Sequence, residues 1–262
     1  MWQRKNERWD FYVLGSAGGR AKSRQTMCIY LPEKLLLDAG NIFALNGESL
    51  LKVEHIVLTH SHLDHLVDIP FLIDYTYGLR EKPLKIYGLP QTLESLRKNI
   101  MNWDVWPEFG VLKLPMTGEY AVEYVEIYPG KEYNIDSYRL IPVESRHTVP
   151  TISLIVKKEG RGMVYTSDTY KNPSLWEIIE KDEEIKVVLV DVSFPSYMST
   201  VAQASMHNTP QSLMEDLSLL KRRNLRVYAV HIKPSHEAEV LQELKSLNYR
   251  VYPFIGKRRI RV

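Results

Sequence analysis

A cluster of potential metal ligands follows a short apolar segment early in the chain. Residues 56–59 are apolar or β-branched and predict a buried strand, and His60, His62, Asp64 and His65 come directly after it. Two histidines spaced two residues apart leave an extended backbone on the same face. Imidazole and carboxylate ligands without a thiolate suit Zn²⁺, Mn²⁺ or Fe²⁺. The pattern therefore predicts a metal site, in preference to a solvated loop that is rich in histidine.

Three later residues occupy positions where they could complete such a site. His147 lies between two predicted strands, and taken alone it would be interpreted as a surface-loop residue. Asp168 follows an apolar strand at 162–166, where it could bridge two cations or cap the next helix. His231 ends the last predicted core strand, 226–230. Asp168 and His231 therefore resemble the cluster at 60–65 in lying at the end of a predicted strand.

Composition sets the limits within which these residues act. The chain has 262 residues, 44% hydrophobic and 25% charged, with no compositional break, which predicts a single domain over 1–262. A formal net charge of +2 argues against a strongly electrostatic nucleic-acid binder. The single cysteine, Cys28, excludes an internal disulfide framework. No apolar run long enough for a membrane span and no apolar signal core at the N-terminus are seen, so we expect a cytoplasmic protein.

Hydrophobic periodicity and turn residues predict an alternation of strands and helices. Strands are expected at 9–15, 25–31, 34–37, 56–59, 85–87, 122–127, 138–143, 152–156, 162–166, 186–191, 226–230 and 250–253. Helices are expected at 66–79, 90–101, 173–181, 211–221 and 235–247. Residues 196–208 are expected to form a polar loop, and the aromatic stretch 102–120 is the least regular part of the chain.

The segment His60-Ser-His62-Leu-Asp64-His65 resembles the HxHxDH signature of the metallo-β-lactamase superfamily. The resemblance implies an α/β (α+β) fold, a four-layer αββα sandwich, with a centre for two divalent cations. Zn²⁺ is the expected metal, with Mn²⁺ or Fe²⁺ as alternatives. The residues that the resemblance assigns to the two cations are His60, His62 and His147 for one, Asp64, His65 and His231 for the other, and Asp168 for both.

Further local strings are similar to one branch of the superfamily. Residues 191–195, 207–210 and 231–234, taken with 60–65, resemble the class II cyclic-nucleotide phosphodiesterases and their prokaryotic relatives. The pattern departs at 66–71, Leu-Val-Asp-Ile-Pro-Phe, where those enzymes continue with glycine and then a Ser-Pro or Ser-Ala pair. The resemblance implies a phosphodiesterase in which a hydroxide bridging the two metals attacks a small-molecule phosphodiester.

The candidate catalytic residues in this interpretation are Asp64 and His207, and His207 would donate a proton to the leaving group or bind phosphate. Lys233 could bind phosphate or lie at the surface, and Asp38 could support the ligands from behind or cap the following segment. We place no role on Ser193.

Several alternatives stay open at this point. One is a tRNA 3′-end endonuclease of the ribonuclease Z type acting on RNA, although Val190 stands where those nucleases carry a catalytic histidine. A glyoxalase-II-like thioesterase and a degenerate, non-catalytic scaffold are others, and the full set of seven ligand types argues against the scaffold. A homodimer and no membrane partner are expected.

Overall fold

The computed structural model describes residues 8–32 and 34–262. Residues 1–7, at the N-terminus, and Glu33, in the predicted turn before the third strand, lie outside the described residues. Within the described ranges, no helix has the length and apolar character that crossing a bilayer requires.

Two seven-stranded mixed sheets form the centre of the fold. The first has the order β14-β1-β2-β3-β4-β5-β6 and the second β13-β12-β11-β10-β9-β8-β7. The strands of the first sheet are β1 Asp10–Gly15, β2 Cys28–Leu31, β3 Leu35–Leu37, β4 His55–Val57, β5 Leu84–Gly88, β6 Val122–Glu126 and β14 Arg258–Arg261. Those of the second are β7 Tyr133–Ile135, β8 Tyr138–Ser145, β9 Thr151–Lys158, β10 Arg161–Tyr165, β11 Ile185–Asp191, β12 Arg226–Val230 and β13 Val251–Pro253.

Helices cover the outer face of each sheet. They are α1 Gly47–Lys52, α2 Leu63–Leu66, α3 Ile69–Thr76, α4 Pro90–Asn99, α5 Pro173–Lys181, α6 Ser199–Ala204, α7 Pro210–Leu217 and α8 Glu237–Leu244, with short 3-10 helices at Ile42–Ala44, Ser196–Met198 and Pro234–His236. One apolar cluster contains side chains of both sheets, such as Ile29 and Leu189. Two others join each sheet to its helices. The predicted four-layer αββα sandwich is thus confirmed.

Most of the predicted strands and helices are present, with ends that differ by a few residues, whereas some short elements were not predicted. Strand β12 and helix α5 have the predicted bounds. The predicted helix 66–79 is instead divided between α2 and α3, because Pro70 lacks an N–H and occupies the first turn of a new helix. The expected polar loop 196–208 contains the six-residue α6, and β7, β14 and α1 were not predicted. Strand β14 reads Arg-Arg-Ile-Arg and forms by pairing with β1, which local sequence does not encode.

The direction of the strands brings the candidate ligands to one edge of the sandwich. Strands β3, β4 and β5 are parallel in the first sheet, and β10, β11 and β12 are parallel in the second. The carboxyl ends of parallel neighbours lie at the same edge. Residue 38 follows β3, residues 58–65 follow β4, and the segments after β10 and β12 lead to Asp168 and His231.

We predict that Gly40→Ala disrupts this edge. A Cβ on Gly40 would lie 2.3 Å from the Asp64 carbonyl oxygen and 2.5 Å from Thr26 Oγ1, so backbone must move. The expected loss in free energy of unfolding is about 3 kcal/mol, measured by chemical denaturation. Gly78→Ala is the matched control because its Cβ would meet nothing within 4 Å. Equal stability of the two variants would contradict the prediction.

Candidate metal centre

The first group of candidate ligands joins the end of β4 to the loop after β8. His60 is fully buried, and His62 Nδ1 lies 3.1 Å from His147 Nε2. His147 Nδ1 is 3.1 Å from the Met206 carbonyl oxygen, to which it donates as an N–H. That bond leaves His147 Nε2 as the atom with a free lone pair, and it faces His62. Residues that the sequence separates widely are therefore brought together as predicted.

The second group joins α2 to the residue after β12. His65 Nε2 lies 3.4 Å from His231 Nε2, and His231 Nε2 lies 3.4 Å from an Asp64 carboxylate oxygen. The rings of His65 and His231 are buried, while the side chain of Asp64 keeps 29% of its surface exposed. Asp64 is thus the ligand candidate of this group that solvent reaches.

Asp168 lies between the two groups, and each of its carboxylate oxygens faces one of them. Oδ2 is 3.6 Å from His60 Nε2 and 3.7 Å from His147 Nε2. Oδ1 is 3.3 Å from both His65 Nε2 and His231 Nε2. The side chain is 2% exposed, so the carboxylate is almost completely removed from water. This is the position that the bridging role requires.

The donor set fits divalent cations. Ligand atoms of His60, His62, His147 and Asp168 all lie within 4.8 Å of one another, as do those of Asp64, His65 and His231. Nitrogen ligands about 2.0–2.1 Å from a tetrahedral zinc are separated by about 3.4 Å, close to the 3.1 and 3.4 Å separations found here. His60 Nε2 and Asp168 Oδ1 are buried and have no hydrogen-bond partner among the described residues. Buried polar atoms left unpaired are costly, and a cation would satisfy both.

The pKa of His65 is shifted in the opposite direction from those of His60 and His147. Burial lowers the pKa of His60 well below its ordinary value and that of His147 to about 4, so both rings are neutral and able to donate a lone pair. Burial also opposes a charge on His65, but the Asp168 and Asp38 carboxylates outweigh it and raise its pKa well above the ordinary value. Burial likewise acts to raise the pKa of Asp168, but His231 and His65 hold it well below its usual range.

His207 lies beside the second group and is held by a carboxylate. Its Nδ1 is 2.8 Å from Asp191 Oδ2, and its ring stacks on that of His231 at 5.2 Å between centroids. His207 is 6% exposed, so it is not the solvated loop residue that was the alternative. Burial acts against its charge, but Asp191 outweighs this and raises its pKa.

Sequence reasoning missed two members of this part of the site. Asp191 ends β11 as a buried carboxylate, and the Ser193 hydroxyl donates to its Oδ1 at 2.7 Å. The same hydroxyl lies 2.9 Å from His231 Nδ1, so Ser193 connects Asp191 to a candidate ligand. The placement of Asp191 at a strand end, which singled out Asp168, was the available signal. Ser193 had none, since its role depends on contacts between distant segments.

Comparison with known proteins places the chain in a family. The model of the β-lactamase superfamily domain matches residues 35–232, a range that includes all seven candidate ligands. The chain belongs to the β-lactamase superfamily. The resemblance recognised from the HxHxDH segment is therefore confirmed.

Individual relatives within the β-lactamase superfamily are more distant. A 3′,5′-cyclic-nucleotide phosphodiesterase of Aliivibrio fischeri is 27% identical, over 87% of this chain and 82% of its own. A ribonuclease Z of Pyrococcus abyssi is 28% identical, over 60% of this chain, and the match spans 50% of that enzyme's length.

Solved structures support the β-lactamase-superfamily fold. The metallo-β-lactamase fold protein YhfI from Bacillus subtilis has a TM-score of 0.78 at 16% identity, covering 98% of this chain and 100% of its own. Unliganded yeast PDE1 also has a TM-score of 0.78, at 17% identity, covering 95% and 98%. At such identities the likeness concerns the fold alone.

Asp38 lies behind the candidate ligand His65 and contacts its ring. It is fully buried, and its Oδ2 lies 2.7 Å from His65 Nδ1 and accepts a hydrogen bond from the Tyr165 hydroxyl at 2.8 Å. Oδ1 accepts the backbone N–H of Thr59 at 2.9 Å. A carboxylate with this many donors orients the ring of His65 and fixes the start of the HxHxDH segment.

Lys233 is engaged elsewhere than at the candidate ligands. Its ammonium group donates to the Gly18 carbonyl oxygen at 2.6 Å, in the glycine-rich loop after β1. That loop packs against the last ligand candidate, because a Cβ on Gly18 would lie 2.4 Å from the His231 carbonyl oxygen. The contact gives Lys233 a structural role beside the site, while phosphate binding by this residue stays a prediction.

We predict that Asp38→Asn destabilises the folded protein, and that this effect does not depend on substrate. The amide would turn an NH₂ group toward donors that now meet a carboxylate oxygen, leaving buried donors without acceptors. The expected loss in free energy of unfolding is about 2–3 kcal/mol, measured by denaturation in excess chelator so that bound cations do not contribute. Asp74→Asn, at an exposed position of α3, is the control and should change stability by less than about 0.5 kcal/mol. If Asp38→Asn also changed the free energy of unfolding by less than about 0.5 kcal/mol, the hydrogen bonds to Asp38 would not be stabilising.

Proposed function

We propose that this chain is a phosphodiesterase that uses two divalent cations. It is a hydrolase of the metallo-β-lactamase fold, and the observation that carries the finer proposal is the placement of the two Asp168 oxygens against separate ligand groups. The residues proposed to hold the cations are His60, His62 and His147 for one, Asp64, His65 and His231 for the other, and Asp168 for both. Zn²⁺ suits this set best, and Mn²⁺ or Fe²⁺ are compatible with it.

The cations, when bound, would supply an activated water for attack on phosphorus and would neutralise charge on the phosphate oxygens. Asp64 is proposed to orient the attacking water, because its side chain keeps 29% of its surface exposed. Burial acts to raise the pKa of Asp64, but His231 and His65 hold it well below its usual range, so the carboxylate remains an acceptor.

His207 is proposed to donate the proton that the leaving oxygen needs. Asp191 binds Nδ1, which leaves Nε2 as the nitrogen that can face a substrate. The Asp191 carboxylate raises the pKa of His207 against the effect of burial and so favours the charged, proton-bearing form of the ring. Asp191 thus acts as a positioning residue for a proton donor.

The reaction that we favour is hydrolysis of a substrate of the cyclic-nucleotide type. The Aliivibrio fischeri relative named as a 3′,5′-cyclic-nucleotide phosphodiesterase matches most of both chains. Cleavage of RNA is the second candidate, since several ribonuclease Z relatives match over shorter spans. Hydrolysis of cyclic AMP and of a precursor tRNA by the same preparation distinguishes the two. The thioesterase alternative, the homodimer and the cellular location stay predictions.

We predict that Asp168→Asn abolishes phosphodiester hydrolysis. Removal of the Asp168 charge would weaken the binding of both cations, so at least one should be lost. The rate with bis(p-nitrophenyl) phosphate should fall at least about a hundredfold, and elemental analysis should give fewer than two cations per chain. The control variant Asp74→Asn should retain the hydrolysis rate and the two cations per chain. Activity that survives Asp168→Asn and strong chelation alike would refute the mechanism.

We predict that the effect of His207→Gln depends on the leaving group. The kcat for cyclic AMP should fall about a hundredfold, because its sugar oxygen needs a proton in order to leave. The rate with bis(p-nitrophenyl) phosphate should fall no more than about threefold, since nitrophenolate is stable without a proton. His55→Gln, at a histidine that contacts Tyr87 instead, is the control. Equal losses with both substrates would point to a structural role.

A further inference from the structure

A row of aromatic rings leads outward from the candidate metal centre. It begins with His231 and His207, whose planes are 18° apart at 5.2 Å. Phe194 follows at 5.9 Å from the His207 ring, and His236 lies 6.1 Å beyond Phe194. The first two rings are buried, whereas Phe194 and His236 are each partly exposed. The row therefore reaches the protein surface at Phe194, whose ring contacts that of the proposed proton donor His207.

Backbone hydrogen bonds fix the two segments that carry the outer rings. Phe194 follows Ser193, whose backbone N–H donates to the Asn208 carbonyl oxygen at 2.9 Å and whose carbonyl oxygen accepts the N–H of Lys233 at 3.1 Å. His236 ends a 3-10 helix, and its N–H donates to the Lys233 carbonyl oxygen at 2.9 Å. Both ring-bearing segments are thus tied to the same point of the chain.

The chemistry of this surface selects a flat, uncharged partner. A phenyl ring and an imidazole have π-faces on which nucleobases can stack. The stacking free energy depends little on which base is bound. A group attached to an oxygen that His207 protonates must lie next to His207, and Phe194 is the partly exposed ring in contact with it. A second phosphate would gain little from these rings, because they provide no fixed cation.

We propose that Phe194, flanked by His236, is the platform on which the base of the scissile nucleotide stacks. This inference rests on the proposed function and deepens it, since it names the nucleoside as the part of the substrate that is recognised. Cations held by the candidate ligands would then bind the phosphate, and the ring pair would discriminate nucleotides from other phosphodiesters.

Binding of two ligands that differ only in the base tests the platform. Isothermal titration calorimetry with the full chain as purified should give about tenfold tighter binding for adenosine 5′-monophosphate than for ribose 5-phosphate. Phe194→Leu should remove this difference, while Phe194→Tyr should keep it. Phe43→Leu is the matched control, because Phe43 is an exposed ring that packs on Tyr75, and it should keep the full preference.

A second measurement needs no variant. The fluorescence of 2-aminopurine riboside 5′-monophosphate is quenched when its base stacks, so binding to the unaltered chain should quench it. Equal affinity for the two phosphates, binding without quenching, or a preference that survives Phe194→Leu would each overturn the platform. Failure of the proposed function would give a different result. In that case the chain would still bind the nucleotide more tightly than ribose 5-phosphate but would not hydrolyse bis(p-nitrophenyl) phosphate.

Discussion

The buried carboxylate of Asp168 is the contact on which the arrangement of the site depends. Four imidazole nitrogens approach its two oxygens at 3.3–3.7 Å, in a region almost without water. A charge buried in this way is tolerated only when partners surround it on every side. The requirement couples the two sheets, because His60 and His65 follow a strand of the first sheet whereas His147, Asp168 and His231 follow strands of the second.

Orientation of the rings comes from a layer of fixed oxygens behind them. The nitrogen of each ring that points away from Asp168 meets such an oxygen: Met206 carbonyl for His147, Asp38 carboxylate for His65, Ser193 hydroxyl for His231 and Thr59 hydroxyl for His60. The inner nitrogens are thereby aimed at a common region before any ligand binds. Backbone conformation adds to this, since Asp38, Ser167, Met206 and His231 all have φ between 54° and 60°. Such left-handed residues cost about 1–3 kcal/mol each, and they are typical of functional sites.

The site has two parts with different chemical character. The candidate ligand groups around Asp168 supply imidazole nitrogens and carboxylate oxygens, a donor set that suits divalent cations. Beside them, Asp191 holds His207, and the aromatic row leads from the His207 ring to the surface.

The sequence by itself determined the features that depend on neighbouring residues. The order of residue types from His60 to His65 identified the family, and the apolar strands ending before Asp168 and His231 pointed to two more candidate ligands, because strand-end placement is readable from the hydrophobic pattern. Only the tertiary structure decided the contacts between distant segments. Asp38 below His65, Ser193 between Asp191 and His231, and Lys233 on Gly18 follow from strand register and loop packing, as does the pairing of β14 with β1. No local pattern encodes such contacts, since each exists only after both sheets have assembled.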